Sequence, residues 1–255
     1  MKAPEIDISL VRSELPDRRI HWRRTVGSTM TEASRLAAEG CESGTLVGAE
    51  EQTAGQGRYG RAWHSEAGSG LYVSIVLRHS FSSSSLPLVT LALGLAAMDA
   101  ITKAAGIACD IRWPNDVLIH SKKCGGILAQ LEGSAIIAGI GINVNQAEFP
   151  GELRNIATSL RIAGGRVYSR ERLLVELASS VDGFCGLLER EGPDPILAMF
   201  SRASSFVHGR RVQVDLGGSS VCGTTAGLNG SGFLILRGDD GRENVVMAGG
   251  VRPCS

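Results

Sequence analysis

Four short segments carry the side chains that could do chemistry in this chain. "QTAGQGRYGRAW" (52–63) puts Arg58 and Arg61 among three glycines, and "RWPND" (112–116) sets a carboxylate, Asp116, beside a rigid X-Pro turn. "KKCGGIL" (122–128) places Lys123 three residues before Gly126, and "GSTM" (27–30) offers two neighbouring hydroxyls, Ser28 and Thr29. Arginine supplies fixed positive forks suited to phosphate, and glycine lets the backbone approach a ligand and rearrange around it. The loop at 52–63 therefore suits an anionic ligand that has to be enclosed.

Its core, GQGRYG, spells G-x-G-x-x-G, the letters of a dinucleotide-binding turn. That turn needs its first glycine directly after a strand and its third inside a following helix. Here "EEQTA" intervenes after the strand core, and "RAWHSEAGSG" leads to another strand. "GIGIN" (139–143) follows a strand, but Asn145 to Pro150 cannot start a helix. A phosphate-binding Walker loop lacks its G-K-[S/T], and a kinase loop lacks H-R-D and D-F-G. Taken alone, 52–63 reads as a solvated surface loop.

The elements that must position these residues follow from pattern. "TVGSTMTEASRLAAEG" predicts a helix with Ser28 and Thr29 as N-cap candidates and Gly40 as its stop. "TLVGAEEQ" and "LYVSIVLR" read as strands on either side of the glycine loop. A serine-rich loop (82–85) leads into a long apolar helix ending near Gly106. "DIRWPNDVLIH" and "KCGGILAQLEG" then form two strands joined by a polar turn at Ser121–Lys122, and "AIIAGIGINVN" a third. Helical spacing returns at Leu173, Leu177, Val181, Phe184 and Leu188, and again around Ile196 to Phe200. After His208 short β-rich runs alternate with Gly, Asn and Asp turns, as in a small barrel. The fold class is α+β, a mixed and mostly antiparallel sheet with packed helices. The reading divides into a domain at 1–207 and a smaller one at 208–255.

The order STM, EEQTAGQGRYGRAW, RWPNDVL, KCGGIL, GIGINVN resembles the biotin protein ligases, from about Gly27 to the end of the chain. The resemblance implies a class II synthetase-like catalytic domain with a C-terminal SH3-like β-barrel. It implies two steps: biotin and ATP, with its Mg²⁺, give biotinoyl-5′-AMP and diphosphate, and a lysine of a biotin carboxyl carrier domain then takes the acyl group. Positive charge and aligned donors must offset the repulsion as a carboxylate approaches the α-phosphate.

By resemblance Lys123 lies between carboxylate and phosphate, whereas Lys122 is a turn residue. Ser28, Thr29, the Met30 backbone and Gln52 meet the ureido ring. Gln56, Gly57 and Arg58 belong to the biotin- and phosphate-binding loop, with Gly126 beside the biotin. Arg61 reaches the ATP phosphates and Trp63 stacks on adenine. Asn115 and Asn143 meet the nucleotide, and Asp116 orients Lys123, Arg61 or the Mg²⁺ of ATP; no metal cluster of the protein's own is implied. Two positions depart from the family's usual letters: Gln56 stands for an arginine and Met30 for an asparagine. A glycine-rich lid over a hydrolysable adenylate is a further expectation from loop composition.

Composition narrows the classes. Lys+Arg and Asp+Glu number 26 each, so no net field draws the 255-residue chain to nucleic acid or an anionic membrane. The N-terminus lacks the apolar core of a signal peptide, and Leu86 to Ala100 is short and interrupted for a membrane span, so it reads as a buried helix. Six scattered cysteines form no C-x-x-C pair and suit a reducing cytoplasm. Too few residues precede Ser28 for a helix-turn-helix, so a ligase without operator binding is expected, with a homodimer possible through a sheet edge. A lipoate or octanoate ligase and a non-catalytic biotin or nucleotide sensor are the alternatives.

Overall fold

A computed structural model describes residues 5–78, 81, 83–215 and 220–254. The start, which sequence pattern left irregular, contains a helix α1 (Ile8–Glu14) and a strand β1 (Ile20–Val26). Both are too short or too charged to carry a periodic signal. Helix α1 depends on Asp7, whose carboxylate accepts from Ser9 N and Leu10 N. Strand β1 is an edge strand that turns its arginines to solvent.

The chain continues through α2 (Thr29–Ala38), β2 (Leu46–Gln52), β3 (Gly70–Leu77), α3 (Leu86–Ala105), β4 (Asp110–Arg112), β5 (Asp116–Ile119), β6 (Lys122–Glu132) and β7 (Ala135–Asn143). Helices α4 (Leu153–Ile156), α5 (Leu160–Gly164), α6 (Arg170–Glu191) and α7 (Pro193–Ala203) follow. The C-terminal strands are β8 (His208–Asp215), β9 (Ser220–Leu228), β10 (Leu234–Arg237), β11 (Glu243–Val246) and β12 (Gly250–Pro253). Of the serine run, Ser82 lies outside the described residues.

The first seven strands make one sheet in the order β1-β2-β3-β7-β6-β5-β4, parallel only between β1 and β2. The single run "DIRWPNDVLIH" is in fact a hairpin, because Trp113-Pro114-Asn115 turns the chain between β4 and β5. The next turn falls one residue earlier than expected: His120 and Ser121 both take positive φ, at 48° and 64°, and Lys122 already belongs to β6.

The sheet is covered on both faces because its central strands are apolar on both. Leu71, Val73, Ile75 and Leu77 of β3 join α3, α6 and α7 in the main core, while Val76 faces α2 through Met30, Ala33 and Ala37. Helix α3 is long and apolar enough to cross a membrane, yet its buried residues, Leu91, Leu95 and Ile101 among them, pack into that core. The last five strands form a second, antiparallel sheet, β11-β10-β9-β8-β12. Its inner residues Val212, Val214, Leu234 and Leu236 belong to the same main core, and Trp113 Nε1 donates to Gly232 O at 2.9 Å.

Two buried charges tie the N-terminus to this frame. Glu50 of β2 and Arg170 of α6 pair at 2.7 Å, each 4% exposed. Glu50 also accepts from Ile6 N and Trp22 Nε1, and Arg170 donates to Gly70 O. The pair fixes β2 and β3 at the strand ends from which the glycine loop departs.

Candidate active site

The cleft is built on the α2 side of the sheet, where β6 and β7 are glycine-bearing. Gly126, Gly139 and Gly141 leave the sheet surface bare, and the Trp63 indole lies across it. A methyl group at Gly141 would sit 2.6 Å from that indole, closer than two carbons can approach. The resulting cleft is open to solvent, with a cavity volume of about 50 Å³. Met30 and Leu128 supply apolar lining on the α2 side, while Val73, Ile127 and Ile140, which also border the cleft, belong to the main core.

Lys123 reaches this face through an irregularity in β6. Strict alternation would put Cys124, not Lys123, on the side of Gly126. Register slips between Val117 and Leu118 of β5, which pair with Gly125 and Lys123, so Cys124 is the extra residue of a bulge. Cys124 is consequently fully buried, its thiol pushed well up by that burial, while Lys123 joins Gly126 over the cleft. There Lys123 Nζ meets Asp116 Oδ1 at 2.5 Å and lies 5.3 Å from the centre of the Trp63 ring.

Asp116 stands between two cations, because Arg112 Nη2 donates to its other oxygen at 2.6 Å. Burial pushes the Asp116 carboxyl up, but the Lys123 ammonium and the Arg112 guanidinium outweigh it and hold the group below the ordinary carboxylate range. Arg61 is not its partner; that side chain is exposed and does not line the cleft.

Gln52, at the end of β2, organises a neutral polar wall. Its Oε1 accepts from Thr29 N at 2.8 Å and Thr29 Oγ1 at 3.1 Å, and its Nε2 donates to Ser65 Oγ at 3.2 Å. Ser74 Oγ in turn donates to Thr29 Oγ1. The first turn of α2 is thus satisfied by Gln52 and not by Ser28, whose side chain makes no capping bond, contrary to the sequence reading. Ser28 Oγ and Trp63 Nε1 are both buried with no hydrogen-bond partner among the described residues. Leaving such a group unpaired costs about 1–3 kcal/mol, so each is poised for a ligand or water.

The loop between β2 and β3 folds back on itself: Gly57 N donates to Arg61 O, Trp63 N to Gly55 O, and Tyr59 takes φ 59°. Gln56, Gly57 and Arg58 line the cleft. Arg58 Nη1 donates to Asn115 Oδ1 at 3.1 Å and to Gly249 O, just before β12, at 3.4 Å. Asn115 also lines the cleft and donates to Ile127 O. Asn143 is buried at the end of β7, where its Nδ2 donates to Thr158 O at 3.0 Å, and it does not line the cleft. Met30 is buried, and a methyl at Gly139 would collide with its sulfur, so at this departure a thioether forms floor. Among residues that sequence reasoning passed over, Ser65, Ser74 and Arg112 hold the site; only Arg112 had a local signal, a base four residues before Asp116.

Residues 22–146 match the model of the biotin/lipoate A/B protein ligase family. The biotin--[acetyl-CoA-carboxylase] ligase of Mycobacterium tuberculosis is 32% identical over 97% of this chain and 95% of its own length. The chain belongs to the biotin protein ligases. The bifunctional ligase/repressor BirA of Bacillus subtilis is 33% identical to this ligase over 93% of the chain and 75% of the relative. The biotin protein ligase of Aquifex aeolicus, solved in complex with biotin and ATP, superposes with a TM-score of 0.82 at 28% identity, over 92% of this chain and 97% of that one. The ligase fold thus accounts for both sheets and for the helices between them.

Proposed function

We propose that the cleft joins biotin to AMP at the expense of ATP and then passes the biotinoyl group to a lysine of a biotin carboxyl carrier domain. One observation carries the reading: Lys123, Gln52 and Thr29 line a single cleft together with the apolar Met30, Trp63 and Leu128. A cation, a neutral donor-acceptor wall and apolar surface together fit a ureido ring on an aliphatic chain that ends in a carboxylate.

In the first step a carboxylate oxygen attacks the α-phosphorus and the bond to diphosphate breaks. Lys123 lies where its charge offsets the repulsion between the two anions, and Asp116 orients it. In the second step the carrier amine attacks the acyl carbon, AMP leaves, and the amine loses a proton. The Gln52–Thr29 wall of the cleft faces the ureido group, and Ser28 Oγ, buried without a partner just outside the cleft lining, is the adjoining polar atom. Arg58 and Arg61 serve the phosphates, and Trp63 offers its ring to adenine.

Mg²⁺ enters with ATP as part of the substrate. No group of three or more His, Cys, Asp or Glu side chains suits a resident ion among the described residues, and both oxygens of Asp116 already hold cations. A cytoplasmic setting belongs to the same reading; Cys222 and Cys254 bring their sulfurs to 3.4 Å. Strands β1 and β4 are the two edges of the large sheet, and an edge strand is where a carrier segment or a second copy would pair.

Pyrophosphate exchange into ATP, run separately with biotin, lipoate and octanoate, tests the reading. Exchange with biotin alone is expected. Exchange with lipoate or octanoate in its place would assign the cleft to the sister reaction, and no exchange with any acid would leave a binding protein.

A further inference from the structure

Arg112 ends β4 directly opposite Asp116, the first residue of β5. Its Nε and Nη2 both go to one carboxylate oxygen, Oδ2, at 3.3 and 2.6 Å. Lys123 Nζ takes the other oxygen, Oδ1, at 2.5 Å. The three side chains are 24%, 17% and 33% exposed, so water screens them only in part. Lys123 and Gly126 line the cleft, and Arg112 does not.

The charge balance of the trio decides what Arg112 can do. Lys123 with Asp116 alone would be neutral, and a lysine cancelled by its own carboxylate has little to offer two anions that must meet. A second cation on Asp116 restores a net charge of +1. It also draws the carboxylate's electron density toward Oδ2 and loosens its hold on the ammonium. We propose that Arg112 is a positioning residue for adenylate formation, acting through Asp116 to keep Lys123 both oriented and electrostatically available to the reacting anions. The inference deepens the ligase reading and rests on it. Because both N–H groups of Arg112 serve a single oxygen, the role needs a cation and not the full guanidinium fork, which sets it apart from a purely geometric clamp.

The test is biotin-dependent pyrophosphate exchange, with kcat and KM for ATP measured for the full chain and its variants, each checked for an unchanged Tm. R112Q keeps a hydrogen-bonding side chain and removes the charge, and it is expected to lower kcat/KM for ATP by roughly 10- to 100-fold. R112K is expected to recover activity to within about 3-fold of the parent, as one cation on one oxygen suffices. The double variant R112Q/D116N, in which Lys123 alone again gives +1, should be no worse than R112Q; costs that multiply would mean independent roles and overturn the proposal. R112Q with parental kinetics overturns it too. Should R112Q fail to fold, R112K decides: a folded R112K with a loss near 100-fold would show that geometry and not charge is required. A parent chain without biotin-dependent exchange defeats the ligase reading itself, whereas an active parent with an unimpaired R112Q defeats only the role of Arg112.

Discussion

Lys123 and Gly126 share one face of β6 although they stand three positions apart, because the bulged Cys124 absorbs the odd step. A strand alternates with period two, so without the extra residue a spacing of three would send them to opposite faces. The ammonium thereby reaches Asp116 and the Trp63 ring in one cleft.

Replacing Lys123 by alanine should remove the charge that the first step needs. Adenylate formation is expected to fall by about 10²–10³-fold, the usual cost of one preorganised donor at a developing charge. Pyrophosphate exchange reads the loss, and a Tm like that of the parent shows that the fold is intact. Parental exchange rates would refute the role.

Ser28→Ala should separate binding from stability. Ser28 Oγ is buried without a partner among the described residues, so its removal from the ligand-free protein should cost little or stabilise slightly. Biotin affinity, by contrast, should weaken about 10-fold if the hydroxyl meets the ureido group. Calorimetric titration alongside thermal melting checks both; an unchanged Kd would remove Ser28 from the biotin site.

Gly141→Ala pushes a methyl into the Trp63 indole, 2.6 Å away. The indole has to move or the sheet has to strain, at a cost of about 1–3 kcal/mol. Urea unfolding should show the destabilisation, and the tryptophan emission of the native state should shift with it. A parental midpoint and spectrum would mean that the indole does not rest on β7.

Arg170→Met should be among the most damaging changes away from the cleft, because Glu50 would stay buried with its charge uncompensated. The expected loss is about 3–5 kcal/mol of stability. Joint replacement of Glu50 and Arg170 by apolar residues should cost less than either single change. Urea denaturation of the three variants tests this.

The pH dependence of stability should carry the mark of Asp116. Its folded pKa lies below the ordinary value, so it binds protons less readily in the folded state than in the unfolded one. Its contribution is therefore complete above the unfolded carboxylate pKa, about 4, and is lost as pH falls through the lower folded value. Unfolding free energies measured from pH 3 to pH 7 should decline less steeply at the acid end for D116N than for the parent.

Much of this molecule was legible without its structure, and the exceptions have physical causes. Helix α6 was readable because its apolar residues keep a 3.6-residue period over 22 residues and Ser169 caps it. Helix α1 and strand β1 escaped because seven residues each, one half exposed and one at a sheet edge, leave no such pattern. The site was legible where motif letters coincide with cleft positions, as at Gln52, Arg58, Asn115 and Lys123. What letters could not give is the local bonding: Ser28 holds the N-cap position of α2 while Gln52 makes the capping bond, and the Asn143 amide donates to Thr158 O.

By itself, the order of residues determined the alternation of elements, the glycine loop between two strands and the family, because these depend on local periodicity and on motif letters that lie close together in the chain. Tertiary structure decided which of the chemically capable side chains meet. The bulge at Cys124 turned Lys123 into the cleft, the sheet order brought β5 beside β6, and Asp116 acquired two cations rather than one. Register and sheet order are settled by packing between distant segments, where a one-residue step moves a side chain to the opposite face.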